Sequence, residues 1–399
     1  MQYKKLGFKS GLEIHQQLDA DKLFCSCPSK LRDDKPDFKV QRELRAVAGE
    51  KGEVDVAAFY EQLKGKHFVY QGYNDTTCLV ELDEEPPHPI NPEALQIALL
   101  VAKMMHCEIP KTAQVMRKTV VDGSNTSAFQ RTMLVGRNGW IKVGEKKIGI
   151  NYLILEEDAA RRIKEDKQSV TYRLDRLGIP MLEIVTAPDM ENPEEVQETA
   201  KVIGMLLRST GNVRRGIGTI RQDVNISIRG HERVEMKGVQ DLRLMQKYIA
   251  EEVKRQIKTK SNEKPHVRNV KPDFSSKYLR PLPGAARMYP ETDIPLVGLS
   301  LKDIEIPELI DEKIKRFVKL GLSQDLAELI VKEKGDLFEE LVKKYAQIKV
   351  AFIAQTLTST LREIKRKYKL DSTKLTDDNF RELFKHLSED KIPKDIVLD

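Results

Sequence analysis

The sequence predicts an α+β protein in which a strand-rich two-thirds is followed by a small all-helical domain. Before Leu301, short β-branched runs bounded by turn residues are interrupted by helical patterns. Beyond Leu301 no strand pattern remains, and apolar residues recur at three-to-four spacing. At 399 residues the chain is also too long for one ordinary core, so more than one domain is expected.

Taken in order, Leu12-Glu13-Ile14-His15 opens the series as a strand. Further strands are expected at Lys118–Val121, Trp140–Val143, Lys147–Leu155, Ser169–Leu174, Met181–Val185, Val224–Ile228 and Val234–Met236. Turns such as Arg137-Asn138-Gly139 and Arg229-Gly230 let neighbours pair as antiparallel hairpins. Helices are expected at Pro92–His106, Pro193–Thr210 and Asp241–Ile257, each with Asn or Asp close to its start. From Lys258 to Arg280 the pattern dissolves into Lys, Ser, Asn and Pro and reads as a linker. Five helical patterns close the chain: Pro307–Leu320, Ser323–Lys334, Asp336–Lys344, Lys349–Lys369 and Thr376–Leu387.

Composition bounds the function classes. Charged residues make up 33% and hydrophobic residues 40%, as in a folded globular protein rather than a disordered one. A net charge of +6 permits a polyanionic partner such as RNA without requiring one. No stretch approaches the roughly 20 apolar residues of a membrane span. Met1-Gln2-Tyr3-Lys4-Lys5 leads straight into the first strand without a signal-peptide core, so a cytoplasmic location is expected. Four cysteines make no disulfide framework.

The candidate chemistry begins with Glu13 and His15, which share a strand face because side chains alternate with period 2. Leu155-Glu156-Glu157-Asp158 and the apolar run Met181-Leu182-Glu183-Ile184-Val185 add buried-strand carboxylates, which are costly unless paired or metal-bound. Glu13, His15, Glu156 and Glu183 together suit a hard cation: carboxylates and waters fit Mg²⁺, whereas a His ligand is more usual on Mn²⁺ or Zn²⁺. The alternative is a polar strand face, with Glu183 paired to Arg173 or Arg176.

Other groups carry the same two-sided reading. Asp122 to Ser127, with Ser124, Asn125, Thr126 and Ser127, is either a loop offering hydroxyls and N–H groups to phosphate or an ordinary polar turn. It is not a Walker loop. Arg176, Arg221, Asp223 and Asn225 are either clamps on a phosphoryl or carboxylate group or surface ion pairs. Cys25, Cys27 and Cys78, with Glu81 as a possible fourth ligand, loosely echo a zinc ribbon whose first pair is one residue short. Cys107 is simplest as core. Arg362, Lys365, Arg366, Lys367 and Lys369 form a basic helical stretch, either a solvated face or a phosphate contact.

The ordered series Gly11-Leu12-Glu13-Ile14-His15, Leu155-Glu156-Glu157-Asp158, Leu177-Gly178-Ile179-Pro180-Met181-Leu182-Glu183-Ile184-Val185 and Asp223-Val224-Asn225-Ile226-Ser227 resembles the GatB/GatE family. Its members are the kinase-transamidase subunits of tRNA-dependent amidotransferases. Thr77 to Pro89 and Pro283 to Asp293 resemble its E branch, the archaeal one acting on Glu-tRNA(Gln). The resemblance implies an antiparallel-sheet cradle with flanking helices, then a helical domain. It implies domains at 1–258 (cradle), 259–280 (linker), 281–300 (cradle completion) and 301–399 (helical, tRNA-facing). It further implies ATP and Mg²⁺, phosphorylation of the glutamyl γ-carboxyl, and ammonia from an asparaginase-like D subunit in a hetero-oligomer. Glu13, His15, Glu156 and Glu183 match the family's metal positions. Asp122 to Phe129, with Ser124, Asn125, Thr126 and Ser127, match the loop near the nucleotide and aminoacyl group. Arg176, Arg221, Asp223, Asn225, Glu235 and Lys237 match positions lining the cradle.

Three departures stand out. Only the short linker stands where members of the E branch carry an inserted domain resembling part of aspartyl-tRNA synthetase, and the sequence reaches Asp399 where a tail domain is expected. Those two leave open a non-catalytic core that binds its partner subunit but handles tRNA poorly. Ala128 occupies a loop position where glycine is expected, a strain if φ is positive there.

Overall fold

The computed structural model describes residues 2–45, 65–259, 263–282, 288–369 and 374–393, with positions 48, 52–54, 59, 62, 63 and 397 besides. Pro283 to Arg287, part of the E-branch resemblance, lie outside the described residues. The chain divides into two compact units, Met1–Ile306 and Pro307–Asp399.

In the first unit the strands are β1 (Lys9–Gln17), β2 (Phe38–Arg42), β3 (His67–Gly72), β4 (Thr112–Ala113), β5 (Val115–Thr119), β6 (Phe129–Val143), β7 (Lys146–Glu157) and β8 (Arg161–Glu165). They continue as β9 (Ser169–Arg173), β10 (Pro180–Thr186), β11 (Ile220–Ser227), β12 (Val234–Lys237), β13 (His266–Val270), β14 (Ser276–Pro281), β15 (Met288–Pro290) and β16 (Val297–Gly298). Among the described residues ten of them form one sheet in the order β14-β13-β12-β11-β1-β10-β7-β6-β5-β15. Its neighbours are antiparallel except β12 and β13, which run parallel. A second sheet has the order β2-β3-β9-β8.

Helices α1 (Pro92–Met104), α2 (Pro193–Ser209) and α3 (Leu242–Lys258) pack on one face of the large sheet. Asn91, Asn192 and Asp241 cap them by accepting first-turn backbone N–H groups. The core between helices and sheet takes alternate strand residues, among them Leu12 and Ile14 of β1, Leu182 and Ile184 of β10, and Val224 and Ile226 of β11. The residues between them therefore face the other side of the sheet.

One expectation is overturned. The stretch 259–280 is not simply a linker, because β13 and β14 form a hairpin that extends the sheet edge. Of these strand residues only His266 and Val267 are buried, so the apolar alternation that marks a half-buried strand is missing.

The loop before β6 holds Ala128 at φ +62°. A left-handed conformation costs a residue with a Cβ roughly 1–2 kcal/mol, against about 0.5–1 kcal/mol for the extra unfolded-state freedom of glycine. Ala128→Gly is thus expected to raise stability by about 0.5–1 kcal/mol in urea titration; a loss of stability would show that the methyl group is needed there.

The second unit contains α4 (Ile310–Lys319), α5 (Gln324–Lys344), α6 (Val350–Gln355), a π-helical turn (Thr356–Thr360), α7 (Leu361–Tyr368) and α8 (Asp377–Ser388). Phe317, Phe338, Ile353, Leu357 and Phe384 lie at its core. Helix α5 breaks at Lys334, with φ −150° and ψ 42°, just before Gly335. Among the described residues no helix is long and apolar enough to cross a membrane.

Candidate active site

Strand β1 supplies the frame. Its open face carries Glu13, opposite Asp223 on β11, and His15, opposite Glu183 on β10. On the far side of β10, Met181 pairs with Glu156 of β7. His15 Nε2 consequently lies 3.5 Å from Glu13 Oε1, 3.6 Å from Glu183 Oε2 and 3.8 Å from Glu156 Oε1. Ligands of one Mg²⁺ at about 2.1 Å stand at most about 4.2 Å apart, and all three distances fall within that span. Glu13, His15 and Glu183 offer ligand atoms that all lie within 4.8 Å of one another and suit a single cation, whereas Glu156 meets His15 and Lys118 but stands outside that group.

Glu156 and Glu157, adjacent in sequence, go to opposite faces. Glu156 joins the cluster, while Glu157 Oε1 lies 3.4 Å from Arg131 Nη1. The alternative of a Glu183 ion pair with Arg173 or Arg176 is not realised. Arg173 donates to the Arg32 carbonyl and to Gln71, and Arg176 donates to the carbonyls of Ala159 (2.7 Å) and Ala160 (3.0 Å).

Glu183 pairs instead with Lys118, which sequence reasoning passed over. Lys118 Nζ lies 2.6 Å from Glu156 Oε2 and 3.3 Å from Glu183 Oε2. The signal was available: a charge opening the apolar run Lys118-Thr119-Val120-Val121 poses the same burial problem as Glu183.

The electrostatics follow from crowding. Burial, reinforced by the nearby Glu183 charge, pushes the Glu13 carboxyl up to about 7. Burial also opposes ionisation of Glu183, but Lys118 and His15 outweigh it and hold that carboxyl well below the usual range. Glu156 is raised by burial despite Lys118. For His15, burial disfavours the charged ring, yet the surrounding Glu183, Glu156 and Glu13 win and raise its pKa.

These groups line a cavity of about 400 Å³. Six carboxylates (Glu13, Glu156, Asp158, Glu183, Asp223, Glu235) face the four fixed cations Lys118, Arg221, Lys237 and Arg280. A bound divalent cation would take the place of the protons that crowding favours on Glu13, Glu156 and His15. Buried Asp158 orients Arg221, 2.9 Å away, and accepts from Gln17 Nε2 at 2.6 Å. Lys237 Nζ bridges Asp223 (2.6 Å) and Glu235 (3.1 Å).

Other expected site residues lie elsewhere. Arg176 does not line the cavity; it fixes the backbone after Asp158. Asn225 lies two residues beyond Asp223 on the same strand, and its buried Oδ1 has no hydrogen-bond partner. The hydroxyls at positions 124, 126 and 127 are already used. Ser124 donates to Asp122, Thr126 to the Glu81 carbonyl and Ser127 to the Phe129 carbonyl. Asn125 is buried, and with Thr126 and Ser127 it lines a smaller, separate cavity beside Cys25 and Glu81.

A second cluster forms there. One ligand atom from each of Cys25, Cys27, Cys78 and Glu81 lies within 4.8 Å of the others. Glu81 accepts from the Cys25 thiol at 2.8 Å and from the Cys78 N–H at 2.7 Å, and fully buried Lys22 lies 3.1 Å from it. Hydrogen bonds from Cys25 and Cys27 lower the Cys78 thiol far below its ordinary value. A thiolate among thiols is the usual precondition for metal ligation.

Comparison with known proteins settles the family. A model of the GatB/GatE catalytic domain matches residues 8–305. The chain belongs to the GatB/GatE family. It is 40% identical to the E subunit of glutamyl-tRNA(Gln) amidotransferase from Methanocaldococcus jannaschii, over all of this chain and 86% of that protein. The same-named proteins of Methanococcus maripaludis strain C7 and Methanosarcina barkeri are 39% and 37% identical, again over the whole chain and 86% and 85% of theirs. The first alignment runs over 544 positions against 399 residues here, so that relative carries segments without a counterpart in this chain. These GatB/GatE relatives belong to an ATP-dependent amidotransferase ligase that acts in protein biosynthesis.

Proposed function

We propose that this GatB/GatE-family chain activates and amidates the glutamyl group of Glu-tRNA(Gln) within an amidotransferase. The observation that carries the proposal is the convergence of Glu13, His15, Glu156 and Glu183 on a cavity that also holds Arg221 and Lys237. In the first step a γ-carboxylate oxygen bonds to the γ-phosphorus of ATP while the bond to the ADP oxygen breaks. In the second, ammonia attacks the acyl carbon, phosphate leaves with the carboxylate oxygen, and nitrogen loses a proton. Neither step needs a protein nucleophile. Both need charge neutralisation and alignment.

Glu13, His15 and Glu183 would hold Mg²⁺, which neutralises phosphate charge when bound, with Glu156 beside them on His15 and Lys118. Lys118 is a positioning residue that keeps Glu183 ionised and ties Glu156 beside it. Arg221, set by Asp158, and Lys237, set by Asp223 and Glu235, present cations to phosphoryl oxygens. Ammonia is supplied by an asparaginase-like partner subunit. The test is reconstitution with that partner, Glu-tRNA(Gln), ATP, Mg²⁺ and an amide donor: Gln-tRNA formation supports the proposal, and its absence with a functional partner refutes it. Cys25, Cys27, Cys78 and Glu81 form, in the same proposal, a structural zinc site.

The second unit is proposed to face tRNA through the basic side of α7. Arg362 is ion-paired with Glu333, and Lys365 and Arg366 are exposed. Reversing all three charges is expected to weaken tRNA(Gln) and tRNA(Glu) equally. The salt slope should fall by about one for each phosphate that is no longer neutralised. Filter binding between about 50 and about 200 mM salt checks this; selective weakening of one tRNA would contradict it.

A further inference from the structure

Cys25, Cys27 and Cys78 meet around Glu81, while Cys107 stands apart from them, packed against Gly136 and Gly139. Two features distinguish the cluster from a closed structural metal site. First, both oxygens of Glu81 are already engaged: Oε1 by the Cys25 thiol at 2.8 Å and Lys22 at 3.1 Å, and Oε2 by the Cys78 N–H at 2.7 Å. A metal there is gripped by three sulfurs and only loosely by the carboxylate, whereas closed structural sites use four firm ligands. Second, Cys27 and Cys78 are half-buried, and their neighbours Ser26, Pro28 and Leu79 are exposed. A small oxidant in solvent reaches such sulfurs. Two accessible thiols side by side, one to be oxidised and one to resolve it, are the arrangement of redox-sensitive cysteines.

Hydrogen bonds select the pair. Cys25 is tied down, since its thiol donates to Glu81 and its sulfur accepts the Cys27 N–H at 3.4 Å. Cys27 reaches Glu81 only at 3.8 Å. A disulfide closes the sulfurs to about 2.05 Å, from a separation within 4.8 Å. Closure draws the turn from Cys78 to Glu81 toward Cys27.

That turn is connected to the carboxylate cavity by two short routes. The Glu81 carbonyl accepts the Thr126 hydroxyl at 2.6 Å, in the loop that leads into β6. Next to Lys22, the Leu23 N–H donates to the Gly178 carbonyl at 2.8 Å, and the Gly178 N–H donates to the Asp158 carbonyl at 3.1 Å. Gly178 has φ +87°, and a Cβ there would stand 3.4 Å from Lys22 Cδ and 3.6 Å from Glu81 Oε1. Asp158 is the carboxylate that orients Arg221, 2.9 Å away.

We infer that Cys27 and Cys78 are an oxidative modification site, whose disulfide loosens the Gly178–Asp158–Arg221 support and slows amidation. One sulfur attacks an oxygen of hydrogen peroxide, the O–O bond breaks, and a sulfenic acid and one water form. The second sulfur attacks the sulfenic sulfur, the S–O bond breaks, and a second water leaves. Two electrons pass from the sulfurs to the peroxide. The protons come from the thiols, or from solvent where a metal has replaced them. A metal on the cluster thereby loses two of its three sulfur ligands and is released. The effect on rate rests on the function proposed above; the bridge itself does not.

The test uses the full chain with its partner subunit, unaltered and as the Cys107→Ala and Cys27→Ser variants. Each is treated with hydrogen peroxide. Peptide mass spectrometry maps the cysteines, a colorimetric chelator reads released zinc, and hydrogen–deuterium exchange follows residues 122–129 and 174–179. The bridge between Cys27 and Cys78 is expected to form about tenfold or more faster than Cys107 is oxidised. Exchange in both segments should quicken, and kcat for Gln-tRNA formation should fall about tenfold or more as Arg221 loses its support. Dithiothreitol with zinc should reverse all three effects. Cys107→Ala should respond in full, and Cys27→Ser should show no reversible loss. Cluster cysteines no more reactive than Cys107, a bridge through Cys25 in the unaltered protein, or a bridge that leaves exchange and kcat unchanged would each overturn the inference. Should Cys27→Ser fail to fold, the mapping and exchange of the unaltered protein decide. A bridge that forms and quickens exchange in a protein that makes no Gln-tRNA even when reduced would instead strike at the proposed function.

Discussion

Glu183→Gln is expected to reduce Glu-tRNA-dependent ADP release by about 10³-fold or more, with the fold preserved. The amide keeps the shape of the side chain but removes the charge that His15 and Lys118 hold ionised. Removing one well-placed electrostatic group from a phosphoryl-transfer site costs on the order of 10²–10³ in rate, and losing a metal ligand adds to that. Lys118 keeps its 2.6 Å ion pair with Glu156, so no cation is stranded and the thermal midpoint should move by only a few degrees. Single-turnover assays with excess enzyme separate this from weak tRNA binding. Near-normal acyl-phosphate formation by the variant would remove Glu183 from the site.

The second large effect is on stability. Lys22 is fully buried, and its Nζ donates to the Thr76 carbonyl at 2.6 Å and the Leu174 carbonyl at 3.2 Å while pairing with Glu81. Lys22→Met leaves a buried carboxylate and two carbonyls without their cation. Breaking a buried pair from one side costs about 3–5 kcal/mol, and chemical denaturation should show a decrease of that size. Because Glu81 also holds Cys25 and the Cys78 N–H, the same variant should lower bound zinc from about one per chain to well below it. A stability change under about 1 kcal/mol would contradict the account of Lys22. Zinc-free protein purified without chelator would contradict the proposed metal.

How much of this was legible in the sequence depended on whether a pattern was local. Leu12-Glu13-Ile14-His15 and Met181-Leu182-Glu183-Ile184-Val185 declare themselves because a charge interrupts an apolar strand, and period-2 alternation then assigns its face. The break in α5 was legible too, since Gly335 separates two helical patterns. What was not legible is who meets whom across the fold. Lys118 is distant in sequence from the carboxylates it holds, and its register across β5, β6 and β7 is a tertiary fact. The hydroxyls of Ser124 to Ser127 looked available for phosphate. The bonds that engage Thr126 and tie down the loop come from Glu81, Tyr70 and Tyr172, far off in sequence. The β13–β14 hairpin hid for the opposite reason: an edge hairpin with few buried residues needs no apolar signature.

The central claim, that glutamate is activated as an acyl phosphate in the Glu13–His15–Glu183 cavity, is tested most directly by isotope transfer. Glutamyl-tRNA labelled with ¹⁸O in both γ-carboxylate oxygens is turned over with ATP, Mg²⁺ and ammonium ion, and the released phosphate is analysed by mass spectrometry. Attack by a carboxylate oxygen on the γ-phosphorus, followed by displacement of phosphate by ammonia, predicts one ¹⁸O in each phosphate formed per amide. Unlabelled phosphate accompanying Gln-tRNA formation would show that ATP is cleaved by water and that no acyl phosphate forms.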